Sequence, residues 1–278
     1  MIGEKAMKNI PQEVNEVLKE YFNLFESKLP NFIEGYYIYG SVSLGAFTYG
    51  FSDIDFIAVV KRKATDIDIN LLKEIHSDIK KKFPKIDLMG LYILKNDLKQ
   101  DYENQNTSLY FIDGVYKGLE QFDKNSIDAY QLKKYGITIK GKDIDAFEYI
   151  TNWDILVNIM RDNLNTYWLN WKNDCKKFLS IKYIGLFVSL DMIEWGVLGV
   201  SRLYYTFKER DITSKLGAGE YVLKEVPERW HKIINEAMRL RKCNKKSYYR
   251  SVFKRRKDAL EYIEFIIKES NNLFKEDL

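Results

Sequence analysis

The chain has 278 residues, of which 46% are hydrophobic and 30% are charged, so it is long enough to bury a sizeable core in one large or two small domains. Lys and Arg total 44 against 40 for Asp and Glu, and the net charge of +4 is too small to indicate a nucleic-acid or membrane partner. Two cysteines and two histidines exclude a disulfide framework and a multi-histidine metal site. We therefore expect carboxylates and hydroxyls to carry the chemistry.

The first half of the chain alternates helical and strand patterns. Apolar residues at helical spacing predict an opening helix over 12–28, and a second helix is predicted over 65–83. Short runs rich in aromatic and β-branched residues predict strands at 35–40, 53–60 and 85–94. This order predicts a sheet flanked by helices.

The second half carries long helical patterns, over 143–178, 180–208, 227–242 and 247–274. We therefore predict an α+β fold with a sheet domain over 1–145 and an all-α helical bundle over 146–278. A cleft between two such halves is the expected ligand site.

The most apolar stretch, 181–201, approaches the length of a membrane span but contains Asp191 and Glu194, and charges are costly in lipid. We interpret it as a buried core helix and expect no membrane partner. The amino-terminal residues MIGEKAMKNIPQEV lack the apolar run of a secretory signal, so we expect a cytoplasmic protein.

The motif that carries chemistry follows the first predicted strand. Gly40 permits close approach of the backbone to a phosphate, and Ser41 offers a hydroxyl and an amide, with a short helix after it. Asp53 and Asp55 lie two apart at the start of the next strand, so they project from one face, where hard carboxylate oxygens suit divalent cations. Together these residues predict a triphosphate and metal site.

A third carboxylate on a neighbouring strand would complete a two-metal site for phosphoryl transfer. Asp87 is the only acidic residue in the third predicted strand, and we predict that it acts as metal ligand or general base. A surface position at the start of the strand is the alternative.

Gly40-Ser41 followed by Ser52-Asp53-Ile-Asp55 resembles the hallmark of the nucleotidyltransferase superfamily. Within it, the chain looks most like the aminoglycoside adenylyltransferases that modify streptomycin and spectinomycin. The segments that are similar to the helical domain of those enzymes begin at Ser201-Arg202, Asp211 and Val226-Pro227.

This resemblance implies a mixed sheet, ATP as co-substrate, two Mg²⁺ ions and a small hydroxyl-bearing acceptor. Carried over to this sequence, it implies that Ser41, Ser52, Asp53 and Asp55 bind ATP and magnesium, and that Lys215 reaches the triphosphate. The chain departs from the family at its catalytic glutamate, where a gap-free comparison places Met89.

Asp191 and Glu194 are three apart and so share a helix face, where a buried acidic pair needs cationic partners. One reading is a binding site for an amine-bearing substrate, with Trp195 beside it to stack on a ring. The other is a pair of internal salt bridges to Arg202, Lys182 or Arg161 and an aromatic core.

The run 239–257 contains ten Lys or Arg and no acid, interleaved with aromatic residues. It permits RNA binding, although a solvated helix face is the more common fate of such a run. The sequence therefore predicts an adenylyltransferase for a small, cationic acceptor. The alternatives are transfer to RNA or protein and a non-catalytic nucleotide-binding protein, and the sequence leaves open a monomer or a homodimer.

Overall fold

The computed structural model describes residues 10–98 and 108–275. It divides the chain into two compact units, Met1–Asn152 and Trp153–Leu278, which we call the sheet unit and the helical unit. The predicted domain boundary was at 145. Residues 1–9 of the amino-terminal segment lie outside the described residues.

The sheet unit is built on six strands in the order β5-β4-β3-β2-β1-β6. Only β2 and β3 pair in parallel, and the other neighbours are antiparallel, so the sheet is mixed. The strands are β1 (Ile33–Tyr39), β2 (Ile54–Val60), β3 (Leu88–Leu94), β4 (Ser108–Ile112), β5 (Val115–Glu120) and β6 (Ile137–Lys140). Together with the helical second unit, this sheet confirms the predicted fold class.

The described residues of the sheet unit form four α-helices: α1 (Gln12–Lys28), α2 (Gly40–Ser43), α3 (Asp66–Lys82) and α4 (Ile127–Tyr135). The helix α3 begins at a capping box in which the Thr65 hydroxyl accepts from the Asp68 amide. The predicted helices at 12–28 and 65–83 are therefore confirmed.

Each face of the sheet has its own hydrophobic core. Alternate residues of β2 point to opposite faces: Phe56 belongs to the core shared with α1 and α3, and Ile57 to the core shared with α4. In the first of these cores, the Tyr92 hydroxyl lies 2.7 Å from both the Tyr21 hydroxyl and His76 Nε2. Burial lowers the pKa of His76 to about 3.

The helical unit contains α5 (Trp153–Asn163), α6 (Leu169–Lys176), α7 (Ile181–Val188), α8 (Leu190–Glu209), α9 (Lys215–Glu225), α10 (His231–Arg241) and α11 (Val252–Leu273). A π-helical turn, Leu164–Trp168, joins α5 to α6. The predicted helix over 143–178 is wrong at its start, since the first α-helix there begins at Trp153.

The apolar stretch 181–201 was predicted to form one buried helix, and this prediction is wrong. It forms α7 and α8, which are bent by 100°. The Ser189 hydroxyl accepts from the Met192 amide and starts α8. Ile181 is 90% exposed.

Among the described residues, no single helix is long and apolar enough to cross a membrane. Only the bent pair of α7 and α8, taken together, meets that length and composition.

Candidate functional site

The turn after β1 brings the backbone against a carboxylate. Gly40 has a φ of 68°, and a Cβ at this position would lie 1.7 Å from Asp55 Oδ2. A side chain at residue 40 would therefore displace the Asp55 carboxylate as well as strain the backbone. The predicted approach of a phosphate to Gly40 stays a prediction, whereas the structure shows that the missing side chain makes room for the Asp55 carboxylate.

Ser41 and Ser52 have different surroundings. The Ser41 Oγ is buried and makes no hydrogen bond to any described residue. The Ser52 hydroxyl accepts from the Thr48 amide at 3.0 Å and so closes the turn that leads into β2. Ser41 therefore has hydrogen-bonding capacity to offer a ligand, whereas the contact of Ser52 holds the turn.

Asp53 and Asp55 lie at the entrance to β2. Asp53 is exposed and immediately precedes the strand, and Asp55 is half-buried at its second position. In the sheet, Asp55 lies between Tyr39 of β1 and Met89 of β3. Because they alternate with buried Ile54, the two carboxylates project from the face that carries α4.

Asp87 lies just before β3, which begins at Leu88 rather than at the predicted residue 85. Its carboxylate accepts from the backbone amides of Asp113 and Gly114, in the turn between β4 and β5. Burial raises the pKa of Asp87 in spite of these amide contacts. Asp87 thus links the turn between β4 and β5 to the start of β3.

No three carboxylates converge on one point within the described residues. No group of three or more His, Cys, Asp or Glu side chains there lies close enough to hold a metal ion. The structure therefore does not bring Asp87 together with Asp53 and Asp55 as the predicted metal set. The hairpin amides that hold the Asp87 carboxylate supply the reason.

A cavity of about 370 Å³ opens beside Asp55 on the α4 face of the sheet. Tyr39 and Met89, the two neighbours of Asp55 across the sheet, both line it. The other lining residues are Ile57, Gly90, Leu91, Tyr110, Glu120, Gln121, Phe122, Asp123, Ser126 and Asp128.

Carboxylates make this cavity electronegative. Burial, and then the charges of Asp128 and Asp55, raise the pKa of Tyr39. Burial raises the pKa of Tyr110 as well, followed by the charges of Glu120 and Asp128. Such a cavity suits a cationic ligand with an apolar ring.

The sequence reasoning missed Glu120 and Asp128. Both lie on elements that it did not predict, β5 and α4. One signal for α4 was available, because Ser126 is its N-cap.

In the helical unit, Lys215 and Glu194 meet. The Ser214 hydroxyl caps α9, and Lys215 is the first residue of that helix. Lys215 Nζ lies 3.3 Å from Glu194 Oε2, and Arg241 Nη1 lies 3.8 Å from Glu194 Oε1. The interpretation that Glu194 takes ion-pair partners is supported, but two of the three predicted partners are elsewhere: Lys182 pairs with Asp174, and Arg161 lies over the Phe274 ring.

Asp191 and Glu194 do not form a buried pair. Asp191 is exposed in the first turn of α8, whereas Glu194 is buried one turn further along. The prediction of a shared buried face is wrong because the bend before α8 leaves its amino-terminal end open to solvent.

Trp195 belongs to an aromatic cluster within the helical unit. Its ring stacks on Trp168 at 4.4 Å between centroids and lies 5.4 Å from Trp171. Gly196 and Gly199 leave the room on α8 for Trp171 and Trp168. These contacts give Trp195 a packing role.

The basic run 239–257 is divided between core and surface. Arg239, Arg241 and Arg255 are buried, and the exposed cations are Lys242, Lys245, Lys246, Arg250, Lys254 and Lys257. Cys243, just after α10, is exposed, whereas Cys175 is buried and burial raises its pKa to about 11.

Two family models match separate parts of the chain. The nucleotidyltransferase domain matches residues 18–112, and the C-terminal domain of aminoglycoside adenylyltransferases matches residues 191–268. The matches thus include Gly40, Asp53, Asp55, Glu194 and Lys215.

The similar proteins include a curated relative and a solved structure that match nearly the whole chain. Spectinomycin 9-adenylyltransferase from Campylobacter jejuni is 25% identical in an alignment 280 positions long, which covers 95% of this chain and 97% of that protein. The crystal structure of spectinomycin adenyltransferase AAD(9) from Enterococcus faecialis with ATP and spectinomycin has a TM-score of 0.63 and 17% identity, over 90% of this chain and 99% of that one. The second match supports the fold.

Proposed function

We propose that this chain, which matches the nucleotidyltransferase domain and the C-terminal domain of aminoglycoside adenylyltransferases, transfers AMP from ATP to a hydroxyl of a small cationic acceptor. The acceptor class includes the aminoglycoside antibiotics, and pyrophosphate is the second product. The observation that carries the proposal is the packing of Gly40 against the Asp55 carboxylate, with the buried Ser41 hydroxyl beside it in the chain.

The residues of this turn fit a nucleotide triphosphate with magnesium. The Ser41 Oγ is a buried hydroxyl with no partner among the described residues, and a phosphate oxygen would supply one. Asp53 and Asp55 offer carboxylate oxygens, the ligands that Mg²⁺ prefers together with phosphate oxygens and water. Magnesium bound there would neutralise charge on the phosphates and orient them.

The chain's own residues then have separate tasks. Ser41 and Ser52 would lie at the turns next to the nucleotide, and Asp53 and Asp55 would hold the metal. The acceptor hydroxyl attacks the α-phosphorus in line with the bond to the leaving pyrophosphate. The new O–P bond forms as the bond to pyrophosphate breaks, and the hydroxyl proton passes to water. Asp87 takes no part in the transfer, because the amides of the β4–β5 turn occupy its carboxylate.

The cavity beside Asp55 supports a cationic acceptor. Its volume of about 370 Å³ is within the range of small-molecule sites. Tyr39 and Tyr110 offer apolar ring surface, and Glu120 and Asp128 offer negative charge for ammonium groups. The names of the similar proteins make spectinomycin the first acceptor to test.

The test is pyrophosphate release with ATP and Mg²⁺ across a panel of spectinomycin, aminoglycosides and lincosamides. We expect release that depends on one class of acceptor and falls by roughly 10³-fold in an Asp53→Asn, Asp55→Asn double variant. Asp145→Asn, an exposed acid elsewhere in the sheet unit, is the matched control and should retain full activity.

Two outcomes would contradict the proposal. If ATP and Mg²⁺ bind but no drug elicits release, the acceptor class is wrong and RNA or protein acceptors are tested next. If ATP does not bind, the catalytic function itself is wrong.

A further inference from the structure

The helical unit contains two buried glutamates whose surroundings differ. Glu236 is fully buried and accepts from Arg239 Nε at 2.9 Å, Arg239 Nη2 at 2.6 Å, the Ser247 hydroxyl at 2.8 Å and the Tyr248 amide at 2.9 Å. Burial alone would raise the pKa of Glu236, but these donors lower it. Such a saturated carboxylate ties α10 to the segment before α11 and has a structural task.

Glu194 is also buried, but its carboxylate has fewer and longer contacts. Its side chain is 9% exposed, and it accepts one hydrogen bond, from Lys215 at 3.3 Å. Its Oε1 is buried without a hydrogen-bond partner among the described residues, and Arg241 Nη1 stands 3.8 Å from it. A carboxylate that served stability alone would gain from tighter bonds of the kind that Glu236 makes.

Three helices bring these charges to one place. Glu194 lies on α8, Lys215 begins α9, and Arg241 ends α10. The Lys215 side chain is 23% exposed, more than the 9% of either partner, so the ammonium group is the most accessible of the three.

The charge of Lys215 depends on this arrangement. Burial lowers its pKa, the neighbouring Arg241 and Arg202 lower it further, and the Glu194 carboxylate raises it. Glu194 thus opposes the lowering of the Lys215 pKa by burial and by the neighbouring cations.

We propose that Glu194 is a positioning residue that holds Lys215 and Arg241 together as a cation pair for the pyrophosphate part of the nucleotide. The inference rests on the proposed function and adds Arg241 to the phosphate-binding residues. An arginine offers a planar fork of donors to phosphate oxygens, and a lysine offers a compact charge. The two together match an anion that carries several negative charges.

The first test measures binding of inorganic pyrophosphate with Mg²⁺ by calorimetry. We expect Arg241→Gln to weaken it about tenfold or more, as the loss of a charge-assisted contact predicts. Arg241→Lys should recover part of this loss. Lys242→Gln, which removes the adjacent exposed cation, is the matched control and should bind as the unchanged protein does.

The second test follows pyrophosphate binding of Glu194→Gln with rising pH. Without the carboxylate, Lys215 should lose its proton at a lower pH, so binding should weaken at a lower pH than in the unchanged protein. Glu236→Gln, if folded, should lower the melting temperature and leave that pH profile in place. A purely structural Glu194 would behave in the same way as Glu236.

The inference is overturned if Arg241→Gln binds pyrophosphate normally while its melting temperature is unchanged, or if Glu194→Gln leaves the pH profile in place. Pyrophosphate binding needs no acceptor, so this result is separate from failure of the proposed function. If only the proposed function failed, no acceptor on the panel would react, but Arg241→Gln would still weaken the binding of pyrophosphate.

Discussion

The two faces of the central sheet differ in what their side chains do. On the face that carries α1 and α3, β2 contributes apolar residues to a closed aromatic core around His76 and Tyr92. On the face that carries α4, the same strand contributes Asp55, beside a cavity lined by carboxylates. The alternation of this strand thus confines the Asp55 carboxylate to one of the two packed faces, and substitutions on the two faces should have separable effects.

Among single substitutions, the largest effect is expected at Gly40, next to Asp55. In Gly40→Ala the new methyl group meets the Asp55 carboxylate and the residue must keep a positive φ. We expect adenylyl transfer to fall by roughly 10²-fold because Asp55 is displaced, and the free energy of unfolding to fall by about 1–3 kcal/mol. Activity assays and urea unfolding measure both. Gly45→Ala, which also has a positive φ but no atom within 4 Å of the added Cβ, separates backbone strain from the clash.

On the packed face, His76 should affect stability and its pH dependence. The pKa of His76 is about 3 in the folded protein, well below its ordinary value, so the unfolded chain binds more protons and stability falls as the pH drops below about 6.5. At pH 5 the loss is about 2 kcal/mol. His76→Gln should reduce the difference in unfolding free energy between pH 7.5 and pH 5 by about that amount.

The other histidine provides the control. His231→Gln, in the helical unit, should leave the pH dependence of unfolding in the sheet unit as it was. Equal changes in both variants would contradict the assignment to His76. If folded His76→Gln lost adenylyl transfer at pH 7.5, substitutions on the two faces would not have separable effects.

The smallest effect is expected at Asp128, in the acceptor cavity. Asp128→Asn should raise KM for a cationic acceptor about fivefold, as for one partly exposed ion pair, and leave KM for ATP unchanged. Since Asp128 is in the first turn of α4, the free energy of unfolding should fall by no more than about 1 kcal/mol. Steady-state kinetics at several salt concentrations measure this, and an unchanged acceptor KM would remove Asp128 from the cavity's function.

Much of the sheet unit could be predicted from sequence. Gly40, Asp53 and Asp55 lie in one continuous segment, and β1 to β3 carry strong apolar runs. The strands β5 and β6 could not be recognised in this way, since they are short and half-exposed. The cavity beside Asp55 depends on β5 and α4, and for that reason Glu120 and Asp128 were missed.

The ion pairs of the helical unit could not be predicted from local sequence patterns. The three-residue spacing of Asp191 and Glu194 predicted a shared face, but Ser189 starts a new helix and leaves Asp191 in solvent. The partners of Glu194 lie on two later helices, and no periodicity within α8 identifies them. Tertiary packing alone decides such pairs.

The different burial of the two cysteines makes the chain suitable for site-specific labelling. A maleimide dye at neutral pH should react with Cys243 and spare Cys175, which is enclosed and holds its thiol proton more tightly. Cys243 follows Arg241 by two positions, so a fluorophore there would report from beside the cation pair. Nucleotide binding could thus be followed by fluorescence without an engineered cysteine.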